Sequence, residues 1–422
     1  MDMSSVSSRR NFLGALAAFP AIAAPPEPLK IEALELVRLR GRRETLAGVN
    51  QQHQAQMNHF YEDLRPKPYR DTPNPEKRIS PVSHLYLRVR ASKSEGFYGP
   101  IDPEAAIVVE RQLKAFITGR DALAGDIVWD QMYRWNRHGR TGHLMMAISA
   151  VDNALWDLRG RYFQTPVYRL LGGPGRREVE VYGSCLGFSI EPDKAAAKAA
   201  ELKTQGFRHQ KWFLAYGPGD GLAGLEKNVD LVRALRQAVG EDVELMFDAY
   251  MGWSLDYAID WCKRVEQYRP RWIEEAFPPD RMEAFVQLRK STSIPVASGE
   301  HIYNRWEANR YLAAGAVSVL QTDPEWCGGV SELVKICSIA TLYDAIVAPH
   351  GHSIWSALHV VAAQPPSTCP LVEYLLTKIP GYSWFEKHPP VPANGRLELS
   401  PRPGFGIEID PAKVEAEEPF RP

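Results

Sequence analysis

Cysteine is scarce and spaced for no partner: Cys185, Cys262, Cys327, Cys337 and Cys369 are odd in number and stand at none of the intervals of zinc ligands. That argues against a disulfide scaffold and a structural zinc site, and leaves reduced, mostly buried thiols. A surplus of positive charge is missing too, the formal net charge being -1. Nothing basic is left over to track a phosphate backbone or an acidic membrane surface, so nucleic acid is not an expected partner. The apolar run near the N-terminus is short and interrupted by Pro20, which excludes a bilayer-spanning helix there. What remains is an ordinary globular composition, 45% hydrophobic and 24% charged over 422 residues, enough for one large domain and one smaller one.

The first 24 residues read as an address rather than as fold. Ser8-Arg9-Arg10-Asn11-Phe12-Leu13-Gly14 precedes the modest apolar run, which ends in Ala21-Ile22-Ala23. This order fits a twin-arginine signal with a small-residue cleavage site. The expectation is a protein exported already folded, by the twin-arginine machinery, to the periplasm and cut after Ala23. Such export suits an enzyme that loads a metal before crossing, and free thiols suit folding in a reducing cytoplasm first.

Between residues 243 and 350, one short apolar run after another turns polar at its end: Val-Glu-Leu-Met-Phe-Asp248, Arg-Trp-Ile-Glu274-Glu275, Ile-Pro-Val-Ala-Ser-Gly-Glu300, Val-Ser-Val-Leu-Gln-Thr-Asp323 and Ala-Ile-Val-Ala-Pro-His350. The intervals between the numbered residues Asp248, Glu274, Glu300, Asp323 and His350 are 26, 26, 23 and 27 residues. Each is the length of a strand, a helix and two short loops, and amphipathic stretches at 256–268, 280–291, 306–314 and 330–343 fill the gaps. The period predicts a parallel β/α barrel with its polar residues on one rim, where such barrels carry their chemistry. Asp248, Glu274 and Glu300 then converge from three successive strands. Three carboxylates that close need a cation, and oxygen-only ligation points to a hard ion such as Mg²⁺.

The same residues carry a resemblance. Asp248, Glu274 within Trp-Ile-Glu-Glu, Gly-Glu300, Asp323 and His350 resemble, in order and spacing, the mandelate racemase branch of the enolase superfamily. The likeness runs over nearly the whole chain after about residue 30 and is strongest with the L-rhamnonate dehydratase group. Further stretches that carry it are Tyr-Gly-Pro-Gly-Asp-Gly at 216–221, Trp326-Cys327-Gly328-Gly329, Pro349-His350-Gly351, Pro-Val-Pro-Ala-Asn-Gly at 390–395 and Pro-Gly-Phe-Gly at 403–406. It implies a (β/α)7β TIM-like barrel over residues 175–389 under an α+β capping domain over 28–160, with the tail 390–422 returning to the cap. It also implies association into a homo-oligomer. One departure is Ala276, where Pro or Cys usually follows the two glutamates.

Within the cap, 29–39 and 83–90 alternate like half-exposed strands, 103–118 and 143–161 are helical, and 41–80 lacks periodicity. A loop of that length is usually functional. By resemblance it closes over the barrel mouth, with His59 and Arg70 as substrate contacts and Arg65 a substitute for Arg70. In the barrel, 179–183 begins the sheet and 192–204 is a helix. The second strand, 207–213, keeps Lys211 but has Phe213 where racemases of this branch place a second lysine. Inversion of a stereocentre by two opposed bases is therefore not expected, while Lys211 contributes positive potential, holds a carboxylate, or is a surface or structural lysine. Gly328-Gly329 either cradles an anion at a helix start or makes the tight turn into it.

The chemistry implied is removal of a proton α to a carboxylate, with Mg²⁺ against the charge that forms. His350 ends the seventh strand and Asp323 the sixth, so a carboxylate can fix the imidazole's tautomer and raise its basicity. The same imidazole can return the proton to a departing 3-hydroxyl, giving a 2-keto-3-deoxy sugar acid. Glu373, ending the eighth strand at 370–375, hydrogen-bonds the enediolate if protonated or orients the substrate if not. His301 and His352 are pocket candidates. Three function classes stay open: a sugar-acid dehydratase, an epimerase or cycloisomerase using the same enolate, and a non-catalytic exported sugar-acid or metal-binding protein.

Overall fold

The computed structural model describes residues 28–46, 54–65 and 76–422; the stretch expected to be a twin-arginine signal and Arg70 lie outside them. Two long strands come first, β1 (Ile31–Leu46) and β2 (Lys77–Ala91), followed by β3 (Ser94–Ile101). β1 and β2 pair antiparallel from Ile31 opposite Ala91 out to Leu46 opposite Lys77. The aperiodic stretch expected over 41–80 is thus shorter, because both its ends are strand. They escape a pattern reading because Arg40, Arg42 and Glu44 lie opposite Ser83, Pro81 and Ile79 in a ribbon whose β2 half starts exposed. A ribbon wet on both faces has no inside to mark with apolar residues.

The helix His143–Tyr162 covers this sheet. Its backbone comes so close at Gly96 that a Cβ there would stand 2.1 Å from the Ala154 carbonyl oxygen. Only glycine permits that approach.

The second body is built from β4 (Glu178–Ser184), β5 (His209–Phe213), β6 (Glu244–Asp248), β7 (Trp272–Glu274), β8 (Val296–Ser298), β9 (Val319–Leu320), β10 (Ile346–Val347) and β11 (Val372–Leu375). From β4 to β10 each pairs in parallel with the next, and β11 lies parallel to β4. The ring closes where the Val347 N–H donates to the Thr368 carbonyl and the Glu373 N–H reaches the Pro349 carbonyl. Among the described residues seven helices longer than one turn fall between these strands, from Pro192–Thr204 to Ile354–Ala363, so the architecture is the expected (β/α)7β barrel under an α+β cap. The tail serves both bodies: β12 (Arg396–Glu398) pairs with β4, and β13 (Ala416–Pro419) joins the cap sheet beside β1.

Strand alternation places the chemistry. Tyr182, Met246, Trp272, Val319, Ala348 and Leu371 belong to one apolar cluster inside the barrel. Two residues further along each chain segment stand Ser184, Asp248, Glu274, Gln321, His350 and Glu373, all buried. A period of two along a strand keeps both sets on the inner face, so the layer above the apolar plug is polar. The five cysteines are free and buried. No helix of the described residues is long and apolar enough to cross a membrane.

Candidate active site

Lys211 is the hub of the polar layer. Its Nζ donates to Glu274 Oε1 and lies 2.9 Å from Glu373 Oε1 and 3.2 Å from Asp248 Oδ2. Burial opposes its charge, but Glu274, Glu373 and Asp248 hold it charged well above the usual lysine range. Buried among three acids, it is a carboxylate holder and not a surface lysine.

Of the three acids expected to converge, Asp248 and Glu274 both face Lys211. Glu274 uses its second oxygen to accept from Trp272 Nε1 at 2.9 Å, and Asp248 accepts the Tyr250 N–H at 2.8 Å. Burial raises Glu274 to about 8 against the pull of Lys211, and raises Asp248 to about 6. Glu300 sits on the other side, with Oε1 3.6 Å from His301 Nδ1 and Oε2 3.5 Å from His350 Nε2. Its charge and that of Glu275 also raise Asp248.

Glu275 is the acid that pattern reading missed. It has φ 43°, a left-handed backbone that a non-glycine residue seldom adopts, and it turns a second carboxylate of the Glu-Glu pair onto the rim. Its Oε1 is 3.0 Å from His301 Nδ1, while its Oε2 is buried without a hydrogen-bond partner. Ligand atoms of Glu275, Glu300 and His301 all lie within 4.8 Å of one another. The doublet was visible in the sequence; which way each member points was not.

His350 and Asp323 meet as their strand ends suggest. His350 Nδ1 is 2.6 Å from Asp323 Oδ2, and its Nε2 faces Glu300 and, at 3.9 Å, Glu373. Burial works against a charged imidazole here, but Glu300, Glu373 and Asp323 outweigh it and lift His350 to about 10. The Trp326 ring stacks on the imidazole with centroids 5.0 Å apart. Glu373 Oε2 accepts the Gly351 N–H at 3.0 Å; burial pushes its carboxyl up, yet Lys211 and His350 bring it down to about 2.

The pocket histidines divide. His301 belongs to the acid cluster, where Glu275 overcomes burial and raises it to about 9. His352 turns to Asp102 of the cap, 3.2 Å away, while its N–H donates to Asp323. Among the loop residues, His59 is buried with Nε2 2.5 Å from Asp220 Oδ2 on the turn after β5, and the Arg65 Nε–H donates to the His59 carbonyl. Arg65 Nη1 also lies 3.8 Å from Asp220 Oδ1, so the carboxylate that both side chains face is Asp220 and not the acids around Lys211. Arg70 falls outside the described residues. From the same loop Gln54 hydrogen-bonds Tyr250, whose hydroxyl is raised to about 12 by burial and by Glu300 and Asp248. No motif pointed to Gln54 or Tyr250. At Gly328-Gly329 the waiting anion is internal: Asp152 of the cap helix accepts the Ser331 N–H, and Asn153 accepts that of Val330.

The donor set can be tested for a metal on this geometry. Six carboxylates, Asp248, Glu274, Glu275, Glu300, Asp323 and Glu373, surround three basic groups, Lys211, His301 and His350. Full ionisation leaves negative charge in excess, and the partnerless Glu275 oxygen is one place where it is uncompensated. A hard divalent cation fits such a set.

Fold and rim together define a capped β/α-barrel protein with acids, a buried lysine and a carboxylate-held histidine gathered at the strand ends. Residues 194–413 match the family model described as enolase C-terminal domain-like, and residues 92–172 match the mandelate racemase/muconate lactonizing enzyme N-terminal domain. An L-rhamnonate dehydratase of Saccharopolyspora erythraea is 36% identical over 324 residues, covering 75% of this chain and 79% of that protein. A second relative, from Caldivirga maquilingensis, is 38% identical over 314 residues, 72% of this chain and 75% of its own. The crystal structure of rhamnonate dehydratase from Gibberella zeae complexed with Mg superposes with a TM-score of 0.78 at 27% identity, over 92% of this chain and 96% of that one. The chain belongs to the mandelate racemase/muconate lactonizing enzyme family of the enolase superfamily, with L-rhamnonate dehydratases among its relatives.

Proposed function

We propose that this protein is a Mg²⁺-dependent acid-sugar dehydratase of the L-rhamnonate dehydratase kind, a hydro-lyase forming 2-keto-3-deoxy sugar acids. The observation that carries the reading is the imidazole of His350, tied to Asp323 at 2.6 Å and facing the acid cluster. Phe213 occupies the place where a second, opposed lysine base would stand.

Asp248, Glu274 and Glu300, with Glu275 beside them, would hold Mg²⁺. When bound, the ion supplies positive charge against the substrate carboxylate and against the charge that builds up as its α-proton leaves. The chain's own residues do the rest. Asp323 fixes a proton on His350 Nδ1, and a cation held by Glu300 would offset the negative charge that lifts this imidazole, freeing Nε2 to take the α-proton. The same Nε2–H then protonates the departing 3-hydroxyl, which leaves as water, so one residue is base and acid in turn. Trp326 holds the imidazole plane. Glu373, kept ionised by Lys211, orients substrate hydroxyls as an acceptor instead of donating a proton. Lys211 keeps Asp248, Glu274 and Glu373 from repelling one another.

The test is a panel of acid sugars, L-rhamnonate included, given to purified protein with Mg²⁺ and assayed for 2-keto product. A 2-keto-3-deoxy product from at least one acid is expected. α-Proton exchange in D₂O with no such product from any acid would replace dehydration with another reaction of the same enolate. Neither signal, with ligand-dependent stabilisation, would leave a binding protein.

A further inference from the structure

Away from the barrel mouth, a cavity of about 390 Å³ opens where the cap meets the barrel helix Val330–Ala340. Its floor is Arg159, on the helix His143–Tyr162. The side chain is only 9% exposed; Nε donates to the Leu155 carbonyl and the guanidinium lies 3.9 Å from the Trp156 ring centroid. Nη2 is buried and has no hydrogen-bond partner. A donor so placed has given up water without receiving an acceptor in return, which costs more than a paired one.

The opposite wall is the start of the helix Gly125–Trp135. Ala124 precedes it, so no side chain caps the first turn, whose N–H groups have no intrahelical acceptor. Guanidinium and helix start are in contact: a Cβ at Gly125 would stand 2.4 Å from Arg159 Nη1. At the mouth Lys335, partly exposed, pairs with the exposed Asp126 at 2.6 Å. Asp152 is the other acid near Arg159, but its oxygens are engaged by the Ser331 N–H and hydroxyl. The neighbouring helix start at Val330 is therefore satisfied by a carboxylate of the chain, and the one at Gly125 is not. Trp156, Leu171 and Val334 give the remaining wall an apolar character.

We propose that this cavity binds a small organic anion, with a phosphate-type head between the Arg159 guanidinium, Lys335 and the N-terminus of the helix Gly125–Trp135, and an apolar part against Trp156 and Val334. A head there meets the charge of the Arg159 guanidinium and the first-turn N–H groups together, and draws Lys335 away from Asp126. It also clamps a cap helix to the barrel helix that follows the Asp323 to Gly329 turn.

Calorimetric titration of the Mg²⁺-loaded protein with inorganic phosphate and with phenyl phosphate, at constant ionic strength against chloride, tests this. Saturable binding of both is expected, tighter for phenyl phosphate, and weakened at least tenfold by Arg159→Leu. Tighter binding of phosphate than of phenyl phosphate would overturn the apolar half of the site. Equal binding by wild type and Arg159→Leu, or no heat beyond that of chloride, would overturn the site altogether. If Arg159→Leu does not fold by circular dichroism, Lys335→Glu decides at the exposed mouth: at least a fivefold loss supports the site, and unchanged affinity overturns it.

Discussion

Replacing Asp323 by Asn tests the proton-transfer pair with little change of shape. Asp323 Oδ2 faces His350 Nδ1 at 2.6 Å and the His352 N–H at 3.1 Å, while Oδ1 accepts the Glu325 N–H at 2.6 Å. An amide of the same size keeps at most one acceptor oxygen among these donors and loses the charge that selects the Nδ1–H tautomer. A hydrogen bond to a charged group is worth about 1.5–3 kcal/mol, which at about 1.4 kcal/mol per decade is a loss of roughly 10- to 150-fold in kcat. Mis-set tautomers cost up to about 10⁴-fold in comparable dyads, so the figure is a lower range. Because Asp323 stands behind the imidazole and is fully buried, KM for the acid sugar should move less than about threefold. The assay is 2-keto formation together with α-proton exchange in D₂O, followed by NMR. A kcat within threefold of wild type, or a loss falling wholly on KM, would refute the role given to Asp323.

The remaining predictions concern charge and destination. Lys211→Met leaves three buried carboxylates without their cation and should lower the stability of the metal-free protein by about 3–5 kcal/mol in urea unfolding, as breaking buried pairs does; an unchanged midpoint would remove Lys211 from the hub. Burial raises Glu386 from 4.5 to about 8, despite the Trp355 hydrogen bond and the charge of Lys413. The folded protein then holds this proton after the unfolded chain has released it, so this group's contribution to stability falls as pH rises from 4.5 to 8 and is level above. Glu386→Gln should therefore gain on wild type across that window, by a few kcal/mol at most given about 1.4 kcal/mol per pH unit, read from denaturation midpoints at pH 5 and pH 9. A gap that does not widen contradicts the shift. Residues 1–30 fused to a folded reporter should direct it to the periplasm, and the double change of Arg9 and Arg10 to Lys should retain it in the cytoplasm; retention of the unaltered fusion removes the export reading.

The barrel was legible because buried parallel strands are written as apolar runs, and because alternation carries each run from Met246 to Asp248, Trp272 to Glu274 and Ala348 to His350. Helix ends followed closely: the expected 192–204 is the observed Pro192–Thr204. The outer parts of β1 and β2 were not legible, since a ribbon exposed on both faces carries charges where a strand usually carries its apolar signal. At the site, pattern reading named the polar residues but not their orientations. Nothing local distinguishes Glu274, turned to Lys211, from Glu275, turned by its φ of 43° to His301. Nor does the segment around His59 contain its partner, Asp220, which lies 161 residues away.

The central claim is that one imidazole beside a cation-filled acid cluster removes the α-proton of an acid sugar. Exchange of that proton with D₂O, followed by NMR in wild type and His350→Asn with and without Mg²⁺, measures it directly. Exchange should require both the ion and the imidazole, disappearing on chelation and in the variant. Exchange that persists in His350→Asn with Mg²⁺ present would place the base elsewhere and contradict the account.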